Sequence, residues 1–205
     1  MTAASTNDDA NPERTEEERE ECRVLRELRE TPEILGLIAD WKGAELGLQS
    51  RLRRQFPDAL VRAAMSLHEL RKRAASKFTR STEMWFDRRG MEQSTAEPVA
   101  RHKARRFKET VWDLCSGIGG DSIALAEHCQ VTAIDLNPAS CLRTEWNAEV
   151  YGVRDRLQTR CADVLALGEL GGLVHIDPDR RVGTEGKASR IENYVPGVPE
   201  LLDLM

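Results

Sequence analysis

Residues 113–122 read Asp-Leu-Cys-Ser-Gly-Ile-Gly-Gly-Asp-Ser. A short apolar run, Thr110-Val111-Trp112, leads in, and an alanine-rich run, Ile123-Ala124-Leu125-Ala126, leads out. The pattern predicts a strand, a glycine turn and a helix. Glycines in such a turn let backbone approach a ligand closely. A dinucleotide fingerprint would be GxGxxG with an acid about 20 residues on. Gly117 and Gly119 fit it, but the third glycine position is Ser122.

Working outward, strand and helix patterns alternate. Val111–Leu114 reads as a strand and residues 120–128 as a helix. Residues 131–135 form a second strand, ending on Asp135. Asn137-Pro138 caps a helix running to about 151, because Asn accepts from exposed N–H groups and Pro suits the first helical position. Residues 157–162 and 173–177 complete the set, leading into Asp163 and Asp177. Such alternation implies right-handed βαβ units and a parallel sheet, so the fold class is α/β and Rossmann-like. Ligands of open parallel sheets bind at the carboxyl ends of the strands. Asp113, Asp135, Asp163 and Asp177 sit at or near those ends and form a candidate rim of carboxylates. The alternative is that they are helix caps or solvated turn residues. Asp135 has the spacing to accept both hydroxyls of a ribose.

The chain has 205 residues, 40% hydrophobic and 32% charged, with net charge −5. That charge is uneven: residues 1–40 carry −7, residues 41–110 carry +9 and residues 111–205 carry −7. The basic middle could attract a polyanion. No apolar run approaches the roughly 18 residues of a membrane helix, and the polar, acidic start lacks a signal-peptide centre. Five cysteines without a CxxC pair read as reduced thiols of a cytoplasmic protein. The four histidines lack metal-ligand spacing, so no metal is expected.

Residues 1–16 read as a disordered acidic tail and residues 17–108 as a helical, basic region. Thr31-Pro32-Glu33 marks a helix start, with Leu35, Ile38 and Trp41 on one face. Pro57-Asp58 opens another helix, with Leu60, Ala64, Leu67 and Leu70 recurring. Ser94 and Glu97 have capping-box spacing for a helix over 97–108. Arg101, Lys103, Arg105, Arg106 and Lys108 cluster before the sheet, as a phosphate-contacting face or as a solvated one. Trp85 and Phe86 suit core packing better than base stacking.

Residues 109–181 resemble the cofactor half of a class I S-adenosylmethionine-dependent methyltransferase. DLCSGIGG matches that family's first loop, which wraps the methionine part of the cofactor. Asp135 matches the acid that holds the ribose, and Asp163, in Cys161-Ala162-Asp163-Val164, the acid near the adenine. Residues 85–102, Trp85 to His102, resemble the segment before the catalytic domain of bacterial THUMP-like methyltransferases. They are more distantly similar to trimethylguanosine synthases, whose Thr-Pro-Glu signature becomes Thr95-Ala96-Glu97-Pro98 here.

The resemblance implies S-adenosylmethionine as cofactor, held by Asp113, Cys115, Ser116, Gly117, Gly119, Asp135, Asn137, Asp163 and Val164. It implies that Asp177 and Pro178 orient the acceptor atom, where relatives acting on exocyclic amines have Asn/Asp-Pro-Pro-aromatic. Here Asp179-Arg180 replaces the proline and aromatic. Arg101, Arg105, Arg180 and Arg181 are candidates for an RNA substrate. Cys115 reads as a packing residue rather than a nucleophile. Two rivals stand beside this reading: a nicotinamide-dependent oxidoreductase, and a non-catalytic nucleic-acid-binding module. A complete sheet of this class has seven strands and four are legible, so a chain truncated at its C-terminus, or completed by a partner copy, is expected.

Overall fold

The computed structural model describes residues 14–177 and Gly197. The chain divides into two compact units, residues 1–64 and 65–205.

The first unit is helical. α1 spans Glu16–Glu30 and opens with a capping box: Thr15 Oγ1 accepts from Glu18 N at 3.2 Å, and Glu18 Oε2 accepts from Thr15 N at 2.8 Å. It buries Cys22, Leu25 and Leu28. α2 spans Pro32–Ala39 and α3 spans Glu45–Leu52. Thr31 stands at the α2 cap position, but its hydroxyl makes no capping bond, leaving Pro32 and Glu33 to set the start. Of the face expected from sequence, Ile38 is buried and Leu35 and Trp41 are half-buried, while Ile34 is the other buried residue of α2. α4, Asp58–Ala74, buries Leu60, Ala64, Leu67 and Leu70 as the periodicity predicts.

The second unit holds α5 (Arg88–Gln93), α6 (Glu97–Ala104) and the α/β region. Its strands are β1 (Val111–Leu114), β2 (Val131–Asp135), β3 (Leu157–Cys161) and β4 (Leu173–Ile176). Its helices are α7 (Gly120–Ala126) and α8 (Pro138–Val150). The strand order is β3-β2-β1-β4, and every pairing is parallel. Order reverses at β1, and ligands of open parallel sheets bind outside the carboxyl ends of the strands at such a point. Alternation along the strands builds two apolar layers. Val111, Val131, Ala133 and Leu157 pack with α6, α7 and α8 residues such as Ala104, Leu125 and Ala148. Leu114 and Ile134 pack with Val164 and Leu170 on the other side. Trp85 and Phe86 are buried, with Trp85 edge-on to Trp146 at 4.7 Å and Phe86 beside Phe78 at 5.8 Å.

The capping box expected from Ser94 and Glu97 does not form. Ala96 is the α6 cap and makes no side-chain bond. Glu97 is buried, and its carboxylate accepts from Thr79 N at 2.7 Å and Tyr151 Oη at 2.9 Å. A buried carboxylate must be satisfied, and these distant donors do it. Burial opposes its ionisation, yet those bonds and Arg101 hold the carboxyl below its ordinary value.

Candidate functional site

The turn after β1 is a backbone construction. Cys115, Gly117 and Gly119 all have positive φ, at 62°, 57° and 85°. At Gly119 an added Cβ would meet Thr144 Cγ2 at 2.9 Å, so close packing against α8 demands glycine. At Gly117 the space beyond Cα is open. Thr144 Oγ1 donates to Gly117 O at 2.9 Å, and Gly117 N donates to Asp135 Oδ2 at 2.7 Å. The second oxygen of Asp135 accepts from Asn137 N at 2.9 Å. Asp135 therefore shapes the loop and keeps lone pairs for a ligand. Burial pushes its carboxyl above the ordinary value, against the pull of those two N–H bonds; the charges of Asp113 and Asp87 add to the rise.

The four rim acids divide by role. The charges of Asp135, Asp113, Asp163 and Asp177 all act on the Cys115 thiol. Burial first, then those charges, push the thiol up to about 12. A thiol so protonated is no nucleophile at neutral pH. Asp113 faces inward: it is 2% exposed, accepts from Ser122 Oγ, and meets His175 Nδ1 at 2.7 Å. Alternation puts Asp113 on the same face of β1 as Val111, the face that packs against α6, α7 and α8. Burial alone would lower the His175 pKa; the hydrogen bond and charge of Asp113 outweigh it, and the net shift is upward.

Asp163 is exposed and accepts from Leu165 N at 2.9 Å, capping a short 3-10 turn at Val164–Ala166. Val164 is buried beneath it. Asn137 uses its carboxamide oxygen to cap α8, accepting from Ala139 N and Ser140 N. Ser116 Oγ is buried and has no protein partner, an orphaned polar atom inside the loop. A polar ligand would satisfy it.

Contacts that sequence reasoning did not foresee join residues 85–103 to α7 and α8. Asn147 on α8 accepts from Trp85 N at 2.7 Å and donates to Trp85 O and Ile118 O, both at 3.0 Å. Asp87 caps α5 by accepting from Gly90 N, and lies 3.5 Å from Arg143. Thr95 and Lys103 meet Asp121 and Asp177. Ile118, filling the loop interior, sits hard against Gly90. The signals for these contacts were weak: an Asn inside a helix, and a lysine within a basic run.

Of the candidate substrate residues, Arg101 is held by Glu97 and Glu127 at 2.5 and 2.8 Å. Arg105 is exposed, beside His102 in an open groove of about 430 Å³ bordered by Lys77 and Thr79. Pro178, Arg180 and Arg181 lie outside the described residues. Among the described residues no group of His, Cys, Asp and Glu is arranged to hold a metal, and no helix is long and apolar enough to cross a membrane.

Residues 108–185 match a family model described as RNA cap guanine-N2 methyltransferase. The chain is 33% identical over 142 residues to an uncharacterized S-adenosylmethionine-dependent methyltransferase of Mycobacterium tuberculosis; the match covers 65% of this chain and 39% of that protein. It is 32% identical over 75 residues to the trimethylguanosine synthase of Schizosaccharomyces pombe, covering 34% of this chain and 31% of that one. It is also similar to the crystal structure of a Porphyromonas gingivalis W83 protein designated a methyltransferase, with TM-score 0.56 and 22% identity, covering 73% of this chain and 40% of that chain. This chain therefore spans well under half the length of these relatives.

Proposed function

We infer, from a chain carrying the class I S-adenosylmethionine-dependent methyltransferase fold, that residues 113–164 bind S-adenosylmethionine and that the whole protein methylates RNA. One observation carries the cofactor half: an open glycine, Gly117, whose N–H is held by the very carboxylate that ends β2. The residues fit the group. Gly117 leaves room for close approach, Ser116 Oγ lacks a partner, and Asp135 presents free lone pairs where a ribose would lie. Bound there, the cofactor would supply an activated methyl group on a sulfonium.

The protein's own work is positioning and exclusion of water. Residues 115–119 shape the methionine end, Asp135 holds the ribose hydroxyls, and Asp163 and Val164 flank the adenine. Asp177, with Pro178, orients the acceptor. An exocyclic amine that gains a methyl group must lose a proton, and in this reading the Asp177 carboxylate accepts its N–H. The family description and the basic face around Arg105 support RNA as substrate.

Calorimetry with S-adenosylhomocysteine tests the cofactor half, with NAD as the competing arm. Tritiated methyl transfer onto total RNA by the intact protein, followed by nucleoside mapping, tests the other half. Tight binding without transfer to any RNA would favour a nucleic-acid-binding module over an enzyme.

A further inference from the structure

α6 has two working sides. Lys103 turns toward the first turn of α7, just after the glycine loop, where its ammonium pairs with Asp121 at 2.7 Å. Arg105 follows two residues on, about 200° around a helix of 3.6 residues per turn, and so turns the opposite way. With His102, nearly one turn back, it borders the open groove of about 430 Å³ between α6 and residues 75–79. Both side chains are exposed, and the ion pairs that occupy Arg101 and Lys103 leave them out.

The walls of the groove are tied together. Glu97 N donates to Lys77 O at 3.0 Å, and the Glu97 carboxylate accepts from Thr79 N at 2.7 Å. Lys77 Nζ donates to the carbonyls of Met91, Glu92 and Ser94 at 2.9, 2.8 and 3.1 Å. A groove held open this way needs no rearrangement to receive a ligand. Carbonyl oxygens hold an ammonium without cancelling its charge. Glu97 is the one carboxylate among the described lining residues, and Arg101 answers it at 2.5 Å. The charge left over is positive, from Lys77 and Arg105. Phe78 is 3% exposed, so it offers no ring face to a base.

We propose that this groove is a track for the phosphodiester backbone of an RNA strand, separate from the reaction site and on the far side of α6 from it. The identity of the strand rests on the RNA-methylation reading; the groove itself does not. Arg105 and His102 donate to phosphate oxygens and read no base. Reaction site and groove stand about one helix width apart, roughly 10 Å. A strand spans that distance and a single nucleotide does not, so the substrate is a polynucleotide rather than a free nucleotide.

The test is fluorescence anisotropy of the intact protein with a labelled oligouridylate, across a salt series and without cofactor, with melting temperature recorded for each variant. An oligoadenylate of equal length should bind within about threefold, because phosphate contacts carry no sequence information. Arg105→Glu should weaken binding about tenfold and lower the salt slope by at least about one. His102→Glu should weaken it in the same direction, and decides alone if Arg105→Glu does not fold. Arg160→Glu makes the same charge change from β3, alternating with Thr159, which faces α8. The sheet and a helix layer put it more than a Debye length, about 8 Å, from the groove, so its loss should stay under about threefold. Equal losses at 105 and 160 would mean a general field rather than a groove, and overturn the proposal. Equal competition by polyglutamate of matched charge would mark a site for an acidic protein, and overturns it too. In methyl transfer, Arg105→Glu should raise the KM for RNA several-fold with S-adenosylhomocysteine affinity unchanged. RNA binding through Arg105 with no methyl transfer sinks the enzyme reading and leaves the groove standing. RNA methylation by Arg105→Glu at wild-type KM sinks the groove and leaves the enzyme.

Discussion

Asp113 on β1 and His175 on β4 are register partners in the sheet, and their side chains meet at 2.7 Å in the interior. The pair stitches the two strands together just below their carboxyl ends. Removing one member of a buried ion pair costs about 3–5 kcal/mol, so Asp113→Asn should lower the urea midpoint markedly. The sign of the pH dependence follows from the raised His175 pKa. Its contribution is fully present below the unfolded value of about 6.5 and is lost as pH climbs through the folded value. Urea titrations on either side of neutrality should show that decline, and His175→Gln should abolish it.

Asp135 carries the ribose assignment. Asp135→Ala removes a charged acceptor and should weaken S-adenosylhomocysteine binding by roughly 2 kcal/mol, about thirtyfold, with secondary structure intact. Because the carboxyl is raised by burial, wild-type affinity should begin to fall on acidification above the ordinary aspartate range. Calorimetry across pH measures both effects, and unchanged binding in the variant would remove Asp135 from the site.

Two glycines of one loop should fail differently. Gly119→Ala drives a methyl into buried Thr144 at positive φ and should cost about 1–3 kcal/mol of stability. Gly117→Ala meets no protein atom and pays only the backbone term of about 1 kcal/mol, yet its methyl occupies the ligand's approach. Melting curves and calorimetry should therefore separate the pair, with Gly119→Ala failing in stability and Gly117→Ala failing in binding.

Cys115 is predicted to be inert. With its thiol pushed up to about 12, thiolate is scarce at pH 8, and alkylation by iodoacetamide should be slow until the protein unfolds. Peptide mapping that finds rapid modification of Cys115 in the folded protein would contradict the burial and carboxylate charge that act on its thiol.

For nucleic acid, the structure separates two arginines that look alike in sequence. Arg105→Ala should lower the salt slope of RNA binding by about one. Arg101→Ala, which breaks the bonds to Glu97 and Glu127, should act on the melting temperature more than on that slope.

Much of the sheet was legible because strands and turns are local. The apolar runs at 111–114 and 131–135, and Asn137-Pro138, mark the observed boundaries of β1, β2 and α8. The loop glycines and Asp135 were legible for the same reason. Contacts between distant segments were not. Glu97 has capping-box spacing, but Thr79 and Tyr151 claim its carboxylate. Lys103 reads as one more charge in a basic run until Asp121 is folded against it. Strand parity puts Asp113 on the face of Val111, but both faces of β1 are covered, so its meeting with His175 came only with the fold.

Asn147 carries a practical consequence for anyone dissecting this chain. Its single carboxamide binds the backbone of Trp85 and of Ile118 at once, so a stretch lying well upstream of β1 is fastened to the glycine loop through α8. A cut just before the first strand would leave that amide with half its partners missing. The smallest expressible fragment, and the crossover point for any chimera with a relative, therefore lies upstream of Trp85 rather than at the edge of the sheet.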